Sequence, residues 1–228
     1  MSAPTPLGKR VPGQRPAAGP ALARRPLRRW RSVDLTTAAL LGVAFGVVFW
    51  GWDVLYGFLT PLWVGFQPAA GLAAGVWLLP AVVGALVVRR PGAALFAEVV
   101  AATVETLLPG GNQWGAGVLV SGALQGLGVE LAVALFAWRR FGAAVAVLGG
   151  VLAAALEVAA YEWWVYVPDY TWAWKLAYLG LFAVSGALVA GLGGWALVRA
   201  LARAGALRSF PAAFEEDLLR QNLAAAGV

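Results

Sequence analysis

The sequence predicts an all-α membrane protein with six transmembrane helices and with both ends of the chain in the cytoplasm. Its 228 residues are 61% hydrophobic and only 12% charged, whereas soluble globular domains carry about 25% charged residues. The apolar stretches follow one another from about residue 35 to residue 201 with only short polar breaks. Arginines gather at alternate breaks, as is typical of the cytoplasmic loops of membrane proteins. Together these observations exclude a water-soluble domain.

Six apolar stretches approach the length of about 20 residues that a helix needs to cross the hydrocarbon core of a bilayer. They cover residues 35–52, 70–88, 92–108, 116–138, 143–165 and 172–201. The last stretch is longer than one span, so we expect it to continue into the cytoplasm. The segment 53–68 contains two prolines and two glycines, which predicts an outer loop or a short interfacial helix rather than a continued helix.

The basic residues orient these six spans. Arginines precede the first span, join the second to the third and the fourth to the fifth, and follow the sixth. They are Arg24, Arg25, Arg28, Arg29, Arg31, Arg89, Arg90, Arg139, Arg140, Arg199, Arg203 and Arg208. With six spans they all fall on one side of the bilayer, which the positive-inside rule places in the cytoplasm. The opposite turns are predicted to carry Asp53, Asp169 and Lys175.

Both ends of the chain are expected to lie outside the transmembrane domain of residues 32–204. Residues 1–31 combine Pro, Gly and Ala with eight basic residues and no acidic residue, which is typical of a disordered, solvated arm. The first apolar run begins only near Leu35, too far along for a signal peptide, so we expect this segment to be retained. Residues 205–228 predict a short cytoplasmic tail.

The residue types that are missing exclude several kinds of chemistry. The chain contains no cysteine and no histidine, so disulfides, imidazole bases and Cys/His metal sites are excluded. Its two lysines, Lys9 and Lys175, do not stand in a P-loop motif, so any ATP must be hydrolysed by a partner. The aspartates are predicted to lie outside the spans, which argues against an aspartyl protease. We therefore expect no catalytic residue, no metal and no cofactor.

Five glutamates lie within the predicted spans, where ionisable side chains are costly and therefore functional candidates. They are Glu98 and Glu105 on the third span, Glu130 on the fourth, and Glu157 and Glu162 on the fifth. Glu98 and Glu105 are seven residues apart and so share one helical face. Any one of these side chains could instead hydrogen-bond a neighbouring helix and hold the bundle together, and Glu130, nearer the inner face, is the strongest structural candidate.

Further polar and aromatic residues surround these carboxylates. Tyr161 and Tyr166 each follow a glutamate by four residues, which predicts a phenol within hydrogen-bonding reach of Glu157 and of Glu162. The candidate substrate-binding residues are Glu98, Glu105, Asn112, Gln113, Trp114, Gln125, Glu157, Tyr161, Glu162 and Trp163. Most tryptophans are expected to be ordinary interfacial anchors. Carboxylates, amides and aromatic faces together favour a flat, nitrogen-rich or cationic small molecule.

A stripe of small residues runs along the first span at four-residue spacing. It consists of Ala38, Gly42 and Gly46, and such a stripe allows the backbone of another helix to approach closely. That helix could belong to another subunit or to the same chain.

Three groups of residues carry a resemblance to a known family. They are the run Arg90-Pro91-Gly92-Ala93-Ala94-Leu95 with Glu98, Ala101, Ala102, Glu105 and Leu107; the run Gln125-Gly126-Leu127-Gly128 with Glu130; and Ser185-Gly186-Ala187-Leu188 with Ala190-Gly191-Leu192. Over roughly residues 35–200 the chain resembles the YkoE family. These proteins are the substrate-binding (S) components of energy-coupling-factor (ECF) ABC importers for thiamine or its hydroxymethylpyrimidine precursor.

The resemblance implies a six-helix S component in the plasma membrane of a prokaryote. Such a subunit captures a vitamin at its outer face and docks on a transmembrane coupling subunit that carries two ATPases. By the same resemblance, Ala38, Gly42 and Gly46 are the candidate docking residues. Glu105 and Glu162 are the preferred carboxylates because their positions in the predicted spans lie towards the outer opening. Two alternatives remain open: a self-sufficient carrier coupled to protons through Glu98 and Glu157, and an intramembrane enzyme or assembly scaffold.

Overall fold

The structure is a computed structural model that describes residues 29–225. The predicted N-terminal arm, apart from residues 29–31, lies outside the described residues. In chain order the α-helices are α1 (Ser32–Leu59), α2 (Leu79–Val88), α3 (Ala93–Leu107), α4 (Val118–Leu135), α5 (Ala143–Glu157), α6 (Trp163–Val165), α7 (Trp172–Ser185), α8 (Gly194–Arg203) and α9 (Pro211–Ala225). Residues 29–225 contain no β-strand, which confirms the all-α class.

Several α-helices are joined end to end by tighter or wider helical turns. A 3₁₀ segment of 12 residues, Gln67–Leu78, leads directly into α2. A π-helical segment, Val158–Glu162, joins α5 to α6, and a second one, Gly186–Gly193, joins α7 to α8. Shorter 3₁₀ turns follow α1 and precede α4. The predicted apolar stretches are therefore continuous helices of mixed type.

Five of these continuous segments in the described chain are long and apolar enough to cross a membrane. They are Ser32–Trp63, Gln67–Val88, Gly115–Leu135, Ala143–Val165 and Trp172–Arg203. The predicted third span corresponds to α3, which has 15 residues and, at 1.5 Å per residue, a length of about 22 Å. The structure thus confirms a membrane protein of several helices, while the count of six spans and the side of each end stay predictions.

The first helix extends further than the sequence predicted. We expected residues 53–68 to leave the helix, but α1 continues to Leu59 and a 3₁₀ turn follows at Thr60–Trp63. The prediction was wrong for residues 53–59 because glycine is tolerated in membrane helices, and the first residue that cannot donate its backbone N–H is Pro61. Asp53 consequently lies within α1 and is buried.

Small residues let the helices approach closely around α2, every residue of which from Pro80 to Val88 is buried. A Cβ atom on Gly150 of α5 would lie 2.0 Å from the carbonyl oxygen of Gly186. A Cβ atom on Gly128 of α4 would lie 2.4 Å from the Cα of Ala153. Only glycine fits at these crossings, which explains the abundance of glycine in the spans.

A buried serine fastens the long 3₁₀ segment to the last span. The hydroxyl of Ser185 donates to the carbonyl oxygen of Leu72 at 2.6 Å and accepts from the backbone N–H of Gly75 at 2.9 Å. Long 3₁₀ runs are uncommon because their hydrogen-bond geometry is poorer than that of an α-helix. Ser185 stabilises this one by satisfying two backbone groups at its middle.

One end of the bundle, which we call the arginine-rich end, is held by ion pairs. Asp34 is fully buried and contacts Arg31 at 2.6 Å and Arg90 at 2.8 Å. Two glutamates of α9 extend this network. Glu215 accepts two hydrogen bonds from Arg89, and Glu216 accepts from Arg199 at 3.0 Å and from Arg203 at 2.6 Å. The helix α9 is thereby docked across the ends of α2 and α8.

Candidate functional site

A cavity of about 190 Å³ lies between the spans at the end opposite the arginine-rich end. It is surrounded by α1, the long 3₁₀ segment, α3, α4, the helix of residues 143–165 and α7. Its polar and aromatic lining consists of Phe49, Tyr56, Trp77, Glu98, Glu105, Trp114, Ser121, Gln125, Glu157, Glu162, Tyr166, Tyr170, Tyr178 and Phe182. Every span of the described chain therefore contributes to one polar chamber.

Four buried carboxyl groups dominate the chemistry of this cavity. Glu98, Glu105, Glu157 and Glu162 all line it and are all buried, with Glu98 fully so. Neither lysine nor arginine occurs among its lining residues in the described chain. Carboxylates without a basic partner favour a ligand that brings a positive charge or several hydrogen-bond donors.

The π-helical turn brings two of these carboxylates together. Glu157 and Glu162 are five residues apart, which is about one turn of a π-helix but places side chains about 140° apart on an α-helix. Residues 158–162 form this turn, so both side chains reach the cavity. Glu157 accepts a hydrogen bond of 2.5 Å from the side-chain amide of Gln125.

The phenols that contact these carboxylates differ from those that the sequence predicted. We expected Tyr161 beside Glu157 and Tyr166 beside Glu162, from the spacing of an α-helix. The structure places the phenol of Tyr178, on the last span, against Glu162 instead. Tyr161 packs edge to face on Tyr166 at 5.3 Å and does not line the cavity. The α-helical spacing fails for Glu157 and Tyr161 because the π-helical turn begins between them, and for Tyr166 because this residue follows the end of α6 at Val165.

A fifth carboxylate, Asp53, adjoins the cavity although the sequence placed it in an outer turn. Its Oδ1 atom accepts a hydrogen bond of 3.1 Å from the indole N–H of Trp77. Its side chain also interacts with that of Glu105. Asp53 thus connects a cavity carboxylate on α3 to a cavity tryptophan on the 3₁₀ segment.

The buried polar atoms that lack a protein partner converge on this cavity. In residues 29–225 the buried side-chain atoms without a hydrogen bond are Asp53 Oδ2, Glu98 Oε1, Glu105 Oε1, Ser121 Oγ, Glu162 Oε2 and Tyr166 Oη. Five of these six residues line the cavity, and the sixth, Asp53, contacts Trp77 in its wall. Buried polar atoms are normally paired, since leaving one unpaired costs about 1–3 kcal/mol. This convergence marks a place for a polar ligand.

Aromatic rings form one wall of the cavity. Trp77 lies 5.3 Å from Tyr56 and 5.1 Å from Trp114, and Tyr56 lies 5.5 Å from Trp114, measured between ring centroids. All three line the cavity. Aromatic faces of this kind stack on a flat ring or hold a cation.

Six of the ten predicted binding residues line the cavity: Glu98, Glu105, Trp114, Gln125, Glu157 and Glu162. Asn112 does not, but its side-chain oxygen accepts from the backbone N–H of Trp114 at 2.8 Å and so fixes that turn. Gln113 is exposed, and Trp163 donates its indole N–H to the carbonyl oxygen of Lys175. These three predicted residues, like Tyr161, therefore lie outside the lining of the cavity.

Sequence reasoning missed eight lining residues that carry polar or aromatic groups. They are Phe49, Tyr56, Trp77, Ser121, Tyr166, Tyr170, Tyr178 and Phe182. The aromatic ones had the pattern of interfacial anchors, and no spacing along the chain distinguishes an anchor from a cavity wall. A signal existed for Ser121, which lies four residues before Gln125 on α4 and therefore on the same face.

Two other glutamate contacts serve the bundle itself. Glu130 accepts from the backbone N–H of Ala94 at 2.9 Å and from the indole of Trp138 at 3.3 Å, in keeping with its predicted structural role. Glu98 contributes to the bundle as well as to the cavity, because its Oε2 atom accepts from the backbone N–H of Ala81 at 2.7 Å. Its other oxygen, Oε1, is the unpaired one.

The stripe of small residues on α1 faces another helix of the same chain. Ala38, Gly42 and Gly46 are all buried. A Cβ atom on Gly42 would meet Val100 at 2.7 Å, and one on Gly46 would meet Val104 at 2.5 Å, both on α3. The close approach that this stripe allows is thus used within the bundle, and docking of a partner on it requires α1 to separate from α3.

Comparison with known proteins gives three matches. The model of the family described as ABC-type cobalt transport system, permease component, matches residues 33–156. The Bacillus subtilis protein YkoE, named as an HMP/thiamine permease, is 33% identical over 190 residues, covering 79% of this chain and 89% of that protein. A crystal structure of an S component of an ECF transporter superposes with a TM-score of 0.79 and 30% identity, covering 87% of this chain and 98% of the other.

Proposed function

Because the chain belongs to the YkoE family of substrate-binding subunits of ECF transporters, we propose that its cavity captures thiamine or the hydroxymethylpyrimidine precursor (HMP) from outside the cell. The relatives are transport components and not enzymes, and they favour this function over a self-sufficient proton-coupled carrier. The name of the Bacillus subtilis relative supports the choice of ligand.

The observation that carries this proposal is the set of unpaired polar atoms around one cavity that has no basic lining residue. An aminopyrimidine presents an exocyclic amine and ring nitrogens, so it can donate to a carboxylate such as Glu105 or Glu162 and stack on Trp77 or Trp114. The thiazolium ring of thiamine adds a permanent positive charge that the carboxylates complement.

The size of the cavity supports a small vitamin. Its volume is about 190 Å³, below the roughly 300–1,000 Å³ typical of pockets for drug-sized ligands. A cobalt ion, which the family description mentions, is a poorer match. Within residues 29–225 no group of three or more Asp, Glu, His or Cys side chains is arranged to hold a metal ion.

The proposed transport cycle depends on partners. The sequence contains no P-loop lysine motif, so the energy for import comes from a coupling subunit and two ATPases, as in ECF importers generally. We place the protein in the plasma membrane of a prokaryote, with residues 32–204 forming the transmembrane domain. The basic arm of residues 1–31 and the tail of residues 205–228 then lie in the cytoplasm.

The proposal is tested by titrating the purified protein in detergent with thiamine, HMP, riboflavin and biotin while its tryptophan fluorescence is recorded. Trp77 and Trp114 line the cavity, so a bound aromatic ligand changes their emission. We expect saturable changes with thiamine or HMP and none with riboflavin or biotin. Absence of any response to thiamine and to HMP would contradict the proposed ligands.

A matched pair of variants assigns the site. Glu105→Gln removes a cavity carboxylate, whereas Glu130→Gln makes the same change at a glutamate that contacts Ala94 and Trp138 outside the cavity. We expect Glu105→Gln to weaken affinity by about 10-fold to 100-fold, the loss of a hydrogen bond to a charged group, and to insert normally in the membrane. Unchanged affinity of Glu105→Gln would remove this residue from the site.

A further inference from the structure

A second cavity, of about 320 Å³, lies beside the first. It is formed by the connection between the last two spans, by the first residue of the long 3₁₀ segment and by the first turn of α7. Its lining residues are Gln67, Tyr166, Val167, Pro168, Asp169, Tyr170, Thr171 and Trp174. We call it the outer cavity, and the one described above the inner cavity.

The two cavities share a wall. Tyr166, Val167 and Tyr170 line both of them, so the partition is about one side chain thick. Tyr166 and Tyr170 belong to the short connection at residues 166–171, and not to a span. The wall between the two spaces is therefore formed by side chains of a connection and not by a transmembrane helix.

The chemistry of the outer cavity is that of a site for a flat cation. Asp169 supplies an exposed carboxylate, and the rings of Tyr170 and Trp174 meet edge to face at 5.5 Å. No lysine or arginine lines it in the described chain. The nearest basic residue in sequence, Lys175, is directed elsewhere, because its ammonium lies over Trp164 at 5.0 Å and over Trp172 at 5.4 Å.

We propose that the outer cavity is a first binding station, which takes a planar aromatic cation from solution before it passes between Tyr166 and Tyr170 into the inner cavity. This inference rests on the proposed function, since it assumes that such a ligand is bound within. The outer cavity governs the rate of association, and the carboxylates of the inner cavity govern the rate of dissociation. Thiamine, with its permanent charge, is drawn to Asp169, and HMP, which carries no permanent charge, is not.

Stopped-flow tryptophan fluorescence of the full chain, with thiamine at low and high salt, tests whether the outer cavity binds thiamine first. We expect two phases: a fast one with a rate proportional to thiamine concentration, and a slower one with a rate that levels off. Asp169→Asn should reduce the association rate by about 3-fold to 10-fold at low salt, because a single charge steers the ligand, and leave the dissociation rate unchanged. Asp217→Asn, the same change at an exposed residue of α9, should change neither.

Further variants identify where each phase arises. Trp174→Phe should remove the fast fluorescence change and keep the slow one, because Trp174 lines the outer cavity. Trp114→Phe should weaken the slow change and keep the fast one, because Trp114 lines the inner cavity together with Trp77. Association of HMP should be the same in Asp169→Asn as in the unchanged chain.

The outcomes separate the two proposals. If the unchanged chain gives no signal with thiamine or HMP, the proposed function fails. If the unchanged chain binds thiamine, two results would refute the outer cavity as a first binding station. One is an association rate of Asp169→Asn within 2-fold of that of Asp217→Asn, well below the roughly 10-fold that charge steering gives. The other is a loss of affinity in Asp169→Asn that arises mainly from faster dissociation. A single phase that Trp174→Phe leaves intact refutes it as well.

Discussion

The two ends of this bundle use the same residue types in opposite ways. At the arginine-rich end, Asp34 and Glu216 are buried and each contacts two guanidinium groups. At the inner cavity, Glu98, Glu105 and Glu162 are buried just as deeply, yet each has an oxygen without a hydrogen-bond partner in the protein. Burial alone therefore does not distinguish a structural carboxylate from a binding one. What distinguishes them is whether the fold itself supplies the partner.

The physical reason is the cost of an uncompensated buried charge. A buried carboxylate that meets an arginine has its desolvation penalty offset within the folded chain. One that meets only amides, phenols, indoles or another carboxyl group keeps part of that penalty until a ligand arrives. Residues of the first kind should therefore affect stability when changed, and residues of the second kind should affect binding.

The largest effect is expected at Asp34. Asp34→Asn removes the charge that Arg31 and Arg90 share, and loss of a buried ionic partner lowers the free energy of unfolding by roughly 3–5 kcal/mol. Glu105→Gln makes the matching change in the inner cavity, where we expect no loss of stability. Equilibrium unfolding of both variants in mixed detergent measures the difference. Equal losses of unfolding free energy in the two variants would show that buried carboxylates at the two ends of the bundle contribute equally to stability.

A second test asks whether packing rather than charge dominates the middle of the bundle. Gly46→Ala places a Cβ atom 2.5 Å from that of Val104 and 2.8 Å from the carbonyl oxygen of Ala101, so it should lower the free energy of unfolding by up to about 3 kcal/mol. Gly51→Ala on the same helix meets nothing within 4 Å and should stabilise it by up to about 1 kcal/mol. The same unfolding assay applies. A neutral Gly46→Ala would mean that α1 is free to leave α3.

Two buried serines allow the same comparison between a structural and a binding residue, here without a charge. Ser185→Ala removes both hydrogen bonds to the 3₁₀ segment and should cost about 2 kcal/mol in unfolding free energy. Ser121 lines the inner cavity, where its hydroxyl faces Glu157 and Tyr166 and no backbone group of the described chain. Ser121→Ala should leave stability unchanged and weaken thiamine binding by about 2-fold to 10-fold. The reverse pattern, with Ser121→Ala unstable and Ser185→Ala harmless, would overturn the distinction.

The smallest expected effect is a pH dependence at the arginine-rich end. Hydrogen bonds from Arg203 and Arg199 lower the pKa of Glu216 below its ordinary value of 4.5. Because the folded-state pKa is the lower one, Glu216 stabilises the docking of α9 fully above pH 4.5, and this contribution is lost as the pH falls through the lowered pKa.

Hydrogen exchange of the backbone amides in α9 measures this loss of docking. Protection should be constant from neutral pH down to the ordinary carboxyl pKa of 4.5 and should decline below it. Glu216→Gln should give the weaker protection at every pH and remove the decline. A decline of the same size in Glu216→Gln would assign it to another group.

Much of this architecture could be predicted because the sequence signals it locally. A glutamate within an apolar stretch is visible in the sequence, and four such residues, Glu98, Glu105, Glu157 and Glu162, line the inner cavity. The paired arginines likewise mark the ends of spans, as at Arg89 and Arg90, which lie between α2 and α3. Charge in an apolar context is expensive, so each instance carries information.

The remaining features depend on tertiary structure. Arguments from α-helical spacing assume about 100° of rotation per residue. They could therefore not show the π-helical turn at Val158–Glu162 or the 3₁₀ segment at Gln67–Leu78. Asp53 was assigned to an outer turn because residues 53–68 contain two prolines and two glycines. Its contact with Trp77 exists only after α1 and the 3₁₀ segment have packed together.

The long 3₁₀ segment before α2 also has a mechanical consequence. A 3₁₀ helix rises about 2.0 Å per residue and an α-helix 1.5 Å, so converting the 12 residues of Gln67–Leu78 to α-helix would shorten the segment by about 6 Å. Gln67 lines the outer cavity while Ala70, Ala74 and Trp77 line the inner one. Such a contraction would draw the entrance towards the interior by more than the diameter of a water molecule, without unfolding any span. Spin labels at the two ends of the segment can measure whether its length changes when a ligand binds.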